Sequence, residues 1–250
     1  MSLTHTVASE WLKLRSVRST WWFAGGAVLT MLVIAPMSAL TAANNAEGLG
    51  TEPGSIAAYS MAVAATAYGT QFVLGALGML SVTSEFATRG IGVTLACTPS
   101  RERLLAAKAA VVAAAGFAVG LPVGALGVAT SAPMLEEYGH FEAAPTAGAV
   151  LAMGVHTALV AVLALGLGTV IRRSAGTVAV LFGLLMVLPS VLLMLADSLE
   201  AEFLATAADF TPTAAGERFM TGDVLYVLVL LAWAAGGLAA GVRALRSRDA

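Results

Sequence analysis

The amino-acid sequence predicts an all-α integral membrane protein with six transmembrane helices, an amphipathic interfacial helix at the N-terminus and a short helix in an internal loop. Two observations predict this class. Hydrophobic residues make up 58% of the 250 residues and charged residues only 11%, whereas soluble domains carry about 25% charged residues. The sparse charges also leave long uninterrupted apolar stretches. This composition argues against a soluble enzyme, a nucleic-acid binder and a disordered regulator.

Six stretches contain no Asp, Glu, Lys or Arg and are 19 to 29 residues long. They cover residues 21–41, 56–82, 109–132, 143–171, 174–196 and 224–242. A helix needs about 20 apolar residues to cross the hydrocarbon core of a bilayer. Because a helix satisfies its own backbone polar groups, each stretch is expected to be helical. We therefore expect one transmembrane domain over residues 1–250, without a nucleotide-binding domain.

The basic residues fix the expected orientation. Twelve of the 13 lysines and arginines fall on one side of a six-span path, and only Arg218 falls on the other, together with 11 of the 15 acidic residues. The basic side consists of residues 1–20, 83–108, 172–173 and 243–250. Since cytoplasmic loops carry the excess of Lys and Arg, both termini are predicted to be cytoplasmic in a multi-pass plasma-membrane protein. A cleaved signal peptide is disfavoured because the first apolar stretch is longer than a usual signal core.

The leader before the first span has the pattern of an amphipathic helix. Leu3, Val7, Trp11 and Leu14 recur at spacings of four, four and three residues, which places them on one helical face. Such a helix lies along the membrane surface with its apolar face toward lipid. It either anchors the N-terminus or acts as an elbow helix that contacts a partner, and the two interpretations are compatible.

The loop between the second and third stretches, residues 83–108, predicts helix, turn and helix. Ser84 is a candidate cap for a short helix, and Ser100 follows Pro99 as a candidate cap for the helix that leads into the third span. The alternative is a solvated connector whose arginines merely follow the charge rule for cytoplasmic loops. The pattern alone leaves both interpretations open.

Three polar residues inside the apolar stretches are candidate functional residues. His156 is the only ionisable residue in them, and such groups often mark transport or proton pathways. A neutral histidine bonded to a neighbouring helix is the more common case. Tyr68 and Gln71 either line a pathway or bond between helices. The single cysteine, Cys97, excludes an intrachain disulfide and a cysteine metal cluster, and we expect neither a metal nor a cofactor.

Three segments resemble the ABC type-2 exporter permeases of actinobacteria. The leader over residues 10–22 is similar to the opening of these permeases, and the loop over residues 83–108 is similar to their cytosolic segment. The loop positions that match the family pattern are Glu85, Phe86, Thr88, Ile91, Thr94, Leu95, Arg101, Arg103, Ala106, Ala107 and Lys108. Arg89 stands where glycine is usual and Gly92 where arginine is usual. The stretch 210–216 resembles the segment before the family's last span. In the family, the outer loop that corresponds to residues 197–223 can dip back into the outer face of the membrane.

The resemblance implies the membrane-spanning permease subunit of an ATP-driven exporter. The chain lacks the Gly-x-x-x-x-Gly-Lys phosphate loop, so a separate ATP-binding cassette ATPase would hydrolyse ATP. A second permease protomer, identical or different, is expected, together with membrane lipid and no nucleic acid. The loop would couple the two subunits, with Glu85, Thr88 and Arg89 at or near the ATPase contact and Arg101 and Arg103 on its membrane-proximal flank.

Two other functions remain as alternatives. A membrane-embedded enzyme needs a nucleophile and base, or a metal cluster. The sequence has no Gly-x-Ser-x-Gly or His-Glu-x-x-His motif, and its three histidines are dispersed. A non-transporting anchor or immunity subunit is the second alternative, and the sequence does not separate it from a transporter.

Overall fold

The computed structural model describes residues 3–88, 90, 92 and 100–247. Within these residues, six helical segments are long and apolar enough to cross a membrane, which confirms the predicted fold class. Numbered in chain order, the spans are Arg18–Ala46, Ala58–Ala87, Arg101–Tyr138, Ala143–Ile171, Ser174–Leu199 and Val224–Ser247.

The helices follow one another with short connections. Helix α1 (Leu3–Ser16) precedes α2 (Arg18–Ala46), which is span 1. Span 2 consists of α3 (Ala58–Ala65), a π-helical turn (Thr66–Thr70) and α4 (Gln71–Ala87). Span 3 is α5 (Arg101–Ser131) with a 3-10 turn (Ala132–Tyr138), and span 4 is α6 (Ala143–Ile171). Span 5 consists of α7 (Ser174–Phe182), a π-helical turn (Gly183–Val187) and α8 (Leu188–Leu199). After α9 (Glu202–Asp209) and α10 (Pro212–Met220), a 3-10 turn (Val224–Tyr226) leads into α11 (Val227–Ser247), which completes span 6.

Each predicted stretch coincides with one observed span, but spans 1, 2, 3 and 6 each extend five or more residues beyond the predicted bounds. Span 3 begins at Arg101, eight residues before the predicted start, and therefore includes Lys108. The predicted cap of this helix is confirmed, because the Ser100 hydroxyl accepts a hydrogen bond from the Arg103 backbone N–H at 3.5 Å. The predicted cap at Ser84 is wrong. Ser84 lies in the last turn of α4, where its hydroxyl donates to the Leu80 carbonyl.

The predicted coupling helix falls mainly outside the described residues, which include Gly90 and Gly92 as helical positions. Arg89 also lies outside them. The N-terminal interfacial helix is present as α1.

Span 4 is the centre of the bundle. Within its most apolar stretch of 18 residues, 72% of the residues are buried, whereas the corresponding stretch of span 5 is only 11% buried. Glycines in α4 and α5 allow these two helices to pack closely against span 4. A Cβ atom at Gly78 of α4 would clash with the Ala161 backbone, and one at Gly120 of α5 with the Thr157 side chain. Small residues commonly permit such close packing between membrane helices.

The predicted grouping of loops at the two ends of the bundle is confirmed by contacts. At one end, here called the α1 end, Arg101 bonds to the Leu245 carbonyl, and the Arg172 guanidinium donates to the Ala244 carbonyl at 3.3 Å. At the opposite end, two-residue strands β1 (Ile56–Ala57) and β2 (Gly139–His140) pair in parallel. The basic segments therefore share one end of the molecule, as the charge distribution predicts.

Candidate functional site

Two buried groups of polar side chains join elements that are distant in sequence. The first lies at the α1 end and consists of Glu10, Lys13, Glu85 and Lys108; we call it the interfacial charge cluster. The second lies halfway along the spans and consists of Gln71, His156 and Thr213; we call it the mid-span polar cluster.

Lys108 is the centre of the interfacial charge cluster. Its side chain is 3% exposed, and its ammonium lies 2.6 Å from Glu10 Oε2 and 2.7 Å from Glu85 Oε1. It also donates to the Ser81 carbonyl at 3.3 Å. A buried ammonium without partners would cost several kcal/mol, and here all three of its protons have an acceptor.

Lys13 closes the cluster from the more exposed side. Its ammonium lies 2.7 Å from Glu10 Oε1 and 3.3 Å from Glu85 Oε1. Two carboxylates and two ammonium groups give the cluster no net charge. It joins α1, the end of α4 and the start of α5, so these three helix segments are linked by ion pairs.

The charges of the cluster shift the pKa values of Glu10 and Lys13. Burial by itself would raise the pKa of the Glu10 carboxyl, but Lys108 and Lys13 outweigh burial, and that pKa is lowered. Burial by itself would lower the pKa of the Lys13 ammonium, but Glu10 and Glu85 outweigh it, and that pKa is raised. Both shifts favour the charged forms of Glu10 and Lys13 at neutral pH.

The packed face of α1 is polar rather than apolar. Thr6 and Glu10 are its buried residues, while the predicted apolar face is covered only in part: Trp11 is exposed, and Val7 and Leu14 are half-buried. This is the arrangement expected for an interfacial helix, whose apolar side contacts lipid. Of the predicted elbow residues, Trp11 therefore faces away from the bundle, whereas Val7 and Leu14 are partly covered and Leu14 lines a cavity beside the bundle.

The mid-span polar cluster is uncharged. His156 Nε2 donates to Gln71 Oε1 at 3.1 Å, which places the proton on Nε2 because a carbonyl oxygen only accepts. Gln71 Nε2 donates to Thr213 Oγ1 at 3.2 Å and also to the Ala67 carbonyl. Thr213 Oγ1 donates to the Leu185 carbonyl at 2.6 Å, within the π-helical turn of span 5. The predicted interpretation of His156 as a histidine bonded to a neighbouring helix is confirmed.

Helix α10 enters the bundle from the opposite end and contacts this cluster. Its Gly216 packs directly on the His156 imidazole, where a Cβ atom would clash with the ring. At 1.5 Å per residue, His156, Gln71 and Leu185 each lie about 20 Å from the opposite end of their spans. Three independent positions thus place the start of α10 at the middle of the spans. Part of the 197–223 segment is therefore re-entrant.

Tyr68 is separate from the mid-span polar cluster. Its side chain is exposed and faces the Glu217 carboxyl of α10. Burial raises the pKa of that carboxyl, and the hydrogen bond from Tyr68 opposes the increase. Of the three polar residues singled out in the sequence, the structure brings Gln71 and His156 together.

The predicted coupling residues take different positions. The Glu85 carboxylate is turned to Lys108 and Lys13, with 16% of the side chain exposed. Thr88 and Arg103 are exposed, whereas Arg101 is half-buried against the end of α11. These residues share the α1 end, and contact with an ATPase stays a prediction for each of them.

Sequence reasoning missed the pairing of Glu10 with Lys108, although both occur in the segments singled out above. A hint was present in the sequence. Lys108 immediately precedes an apolar stretch, and a lysine at that place needs either water or a carboxylate. His156 was identified as the only ionisable residue inside a span, but the longer helices observed here also contain Glu85 and Lys108.

The fold and these two clusters define a multi-pass, all-α membrane protein. Comparison of the sequence with models of known protein families found no match. A search among curated proteins also found none. The further assignment therefore rests on the sequence and on the structural arrangement.

Proposed function

We propose that this chain is the permease subunit of an ATP-driven exporter, which forms the pathway and is coupled to a separate ATP-binding cassette ATPase. The proposal rests on the resemblance of the leader and the 83–108 segment to ABC type-2 permeases. It is supported by the helical bundle, by the gathering of basic segments at one end and by an N-terminal helix at that end. Both termini and the α1 end would face the cytoplasm.

The interfacial charge cluster is the structural observation that best supports the coupling part of this proposal. ATP-driven closure of the ATPase dimer must move the membrane helices through a rigid contact. Glu10 and Lys13 of α1, Glu85 of span 2 and Lys108 of span 3 are held together by ion pairs of 2.6 to 3.3 Å. A force applied to α1 or to the adjoining segment would therefore reach spans 2 and 3 together.

Orientation is testable with the single cysteine. Cys97 should react with a membrane-impermeant thiol reagent only when the cytoplasmic side is accessible. Cysteines introduced at Glu47, Glu137 or Glu202 should react in intact cells. Labelling of Cys97 in sealed, intact cells would contradict the proposed orientation.

The ATPase contact is best tested at exposed residues, because substitutions in the charge cluster would also disturb the fold. Arg103→Glu should weaken co-purification with the ATP-binding cassette ATPase partner and reduce ATP-dependent export in inverted vesicles. Arg218→Glu, a charge reversal at the opposite end, is the matched control. Unchanged association and export with Arg103→Glu and Thr88→Trp would remove the ATPase contact from this part of the α1 end, and loss with Trp11→Ala would place it on α1.

The proposal also implies assembly. Two permease protomers should associate with two ATPase subunits, because each chain brings one set of spans and no phosphate-binding loop. Native mass measurement or cross-linking in mild detergent would report this stoichiometry. A strictly monomeric permease that still exports would contradict it.

A further inference from the structure

A cavity of about 480 Å³ opens beside the interfacial charge cluster. It lies between α1, the start of α2, the end of α4 and the start of α5. Glu10, Lys13 and Glu85 form part of its polar wall, and Phe23, Leu80 and Val112 form part of its apolar wall. Its volume falls in the range of about 300–1,000 Å³ that is typical of small-molecule sites.

The two walls lie at different depths. Val112 lies 11 residues into α5 and Leu77 lies 10 residues before the end of α4, so both are about 15 Å along their spans. Trp21 and Trp22, both exposed, lie at the start of span 1, between the cavity residues Thr20 and Phe23 in sequence, and such aromatic residues favour the headgroup level. The cavity therefore extends from the level of lipid headgroups into the hydrocarbon.

In the charge cluster, one carboxylate oxygen and one ammonium proton have no hydrogen-bond partner among the described residues. Lys108 uses all three of its protons, and both oxygens of Glu10 accept from a lysine. Among the described residues, Glu85 Oε2 is buried and accepts no hydrogen bond. Lys13 uses two of its three protons, on Glu10 and Glu85, and is 47% exposed. One anionic acceptor and one cationic donor thus remain within a few ångströms of each other.

We propose that this cavity binds one phospholipid with a primary ammonium headgroup, of the phosphatidylethanolamine type, from the leaflet at the α1 end. The lipid phosphate accepts from Lys13, and the lipid ammonium donates to Glu85 Oε2. The acyl chains lie along Phe23, Leu80 and Val112. A zwitterionic headgroup fits because the cluster is already neutral, so a ligand with net charge would leave one charge uncompensated.

The headgroup chemistry gives a sharp discrimination. A choline headgroup carries no N–H and cannot donate to Glu85 Oε2, although its charge is the same. Since a hydrogen bond to a charged group commonly contributes about 1.5–3 kcal/mol, we expect the ethanolamine lipid to bind about tenfold or more tightly than the choline lipid with the same acyl chains. This preference does not depend on the transport function proposed above.

The experiment is native mass spectrometry of the delipidated protein, titrated with the two lipids in turn. One retained ethanolamine lipid per chain, with the tenfold preference over choline, is the expected result. Equal binding of the two lipids would overturn the proposal. Equal binding of glycerophosphoethanolamine, which lacks acyl chains, would also overturn it, because the apolar wall would then contribute nothing.

Two variants separate the site from general lipid binding. Ser84→Phe places a ring in the cavity wall and leaves the four charges in place, and it should abolish retention of the lipid. Glu85→Gln removes the anionic acceptor and should reduce the ethanolamine preference. Glu142→Gln, at the opposite end, should bind as the unmodified protein does. If Ser84→Phe and Glu85→Gln both kept the full preference for the ethanolamine lipid over the choline lipid, the lipid would bind at another surface and the proposal would be overturned.

Discussion

The two buried polar clusters solve the same packing problem with different chemistry. Each ties a short helix to the bundle: the interfacial charge cluster holds α1, and the mid-span polar cluster holds α10. The first uses four charges, with Lys13 still 47% exposed. The second uses an imidazole, an amide and a hydroxyl, and all three side chains are buried about 20 Å from the opposite end.

Depth explains the difference. A charged side chain is most costly at the centre of a bilayer and much less so near the interface, where water and headgroups are within reach. Neutral hydrogen bonds between membrane helices are worth about 0.6–2 kcal/mol each. Losing one partner of a buried ion pair costs about 3–5 kcal/mol. The clusters should therefore respond very differently to single substitutions.

The largest effect is expected from Lys108→Met. It leaves the carboxylates of Glu10 and Glu85 close together, with only Lys13 to offset them, so unfolding should become easier by about 3–5 kcal/mol. Thermal unfolding in mild detergent, followed by size-exclusion chromatography, measures this.

The paired variant Glu10→Gln/Lys108→Met should be more stable than Lys108→Met alone, because one of the stranded charges is gone. Asp209→Asn breaks the more exposed pair with Arg218 (2.7 Å) and should cost less than about 1 kcal/mol. If Lys108→Met were as stable as Asp209→Asn, the charge cluster would not hold α1 to the bundle.

Gly216→Ala should have the next largest effect. The added methyl group meets the His156 ring, so α10 must shift, and overpacking of this kind costs about 1–3 kcal/mol. Gly236→Ala is the matched control, because a Cβ atom there meets nothing within 4 Å. Limited proteolysis of the 197–223 segment would report loosening of α10. A variant with unchanged stability and protection would show that α10 does not rest on His156.

Gln71→Leu tests the hydrogen bonds of the same cluster. It leaves the His156 Nε2–H and the Thr213 hydroxyl with one partner fewer, and the expected loss is about 1–2 kcal/mol. His156→Leu/Gln71→Leu removes both partners and should be less destabilised than the sum of the single variants. Strict additivity in this double-mutant cycle would mean that the two side chains are not energetically coupled.

The smallest change in stability is expected when the pH is lowered into the mildly acidic range. The pKa of Glu10 is lowered below its ordinary value of 4.5 in the folded protein. Its contribution to stability is therefore complete above that value and is lost as pH falls through the lower folded pKa. The unfolding temperature should be constant from pH 7 to about 5 and should fall below about 4.5. Glu10→Gln should flatten this acid limb, and an acid limb as steep as in the unmodified protein would assign it to other carboxyls.

The sequence determined the spans and the grouping of their ends. A run of about 20 apolar residues has few stable alternatives to a membrane helix, and span 4 was predicted at its observed bounds, Ala143–Ile171. The basic segments 172–173 and 243–250 were predicted to share an end, and the described part of the second segment does so through the bond from Arg172 to Ala244. These features are local or additive along the chain, and one sequence is enough to read them.

The tertiary structure decided which polar side chains meet. Glu10 and Lys108 are 98 residues apart, and no spacing rule links them. A charge-free criterion placed Lys108 outside span 3, because a lone lysine is unfavourable there, whereas a paired one is tolerated within the helix. The depth of α10 and the contact of His156 with Gln71 likewise depend on how helices dock. Periodicity in the sequence indicates which face of a helix a residue lies on, but it does not indicate which residue of another helix it will contact. Two side chains interact only once their helices have packed, and therefore only the structure revealed both clusters.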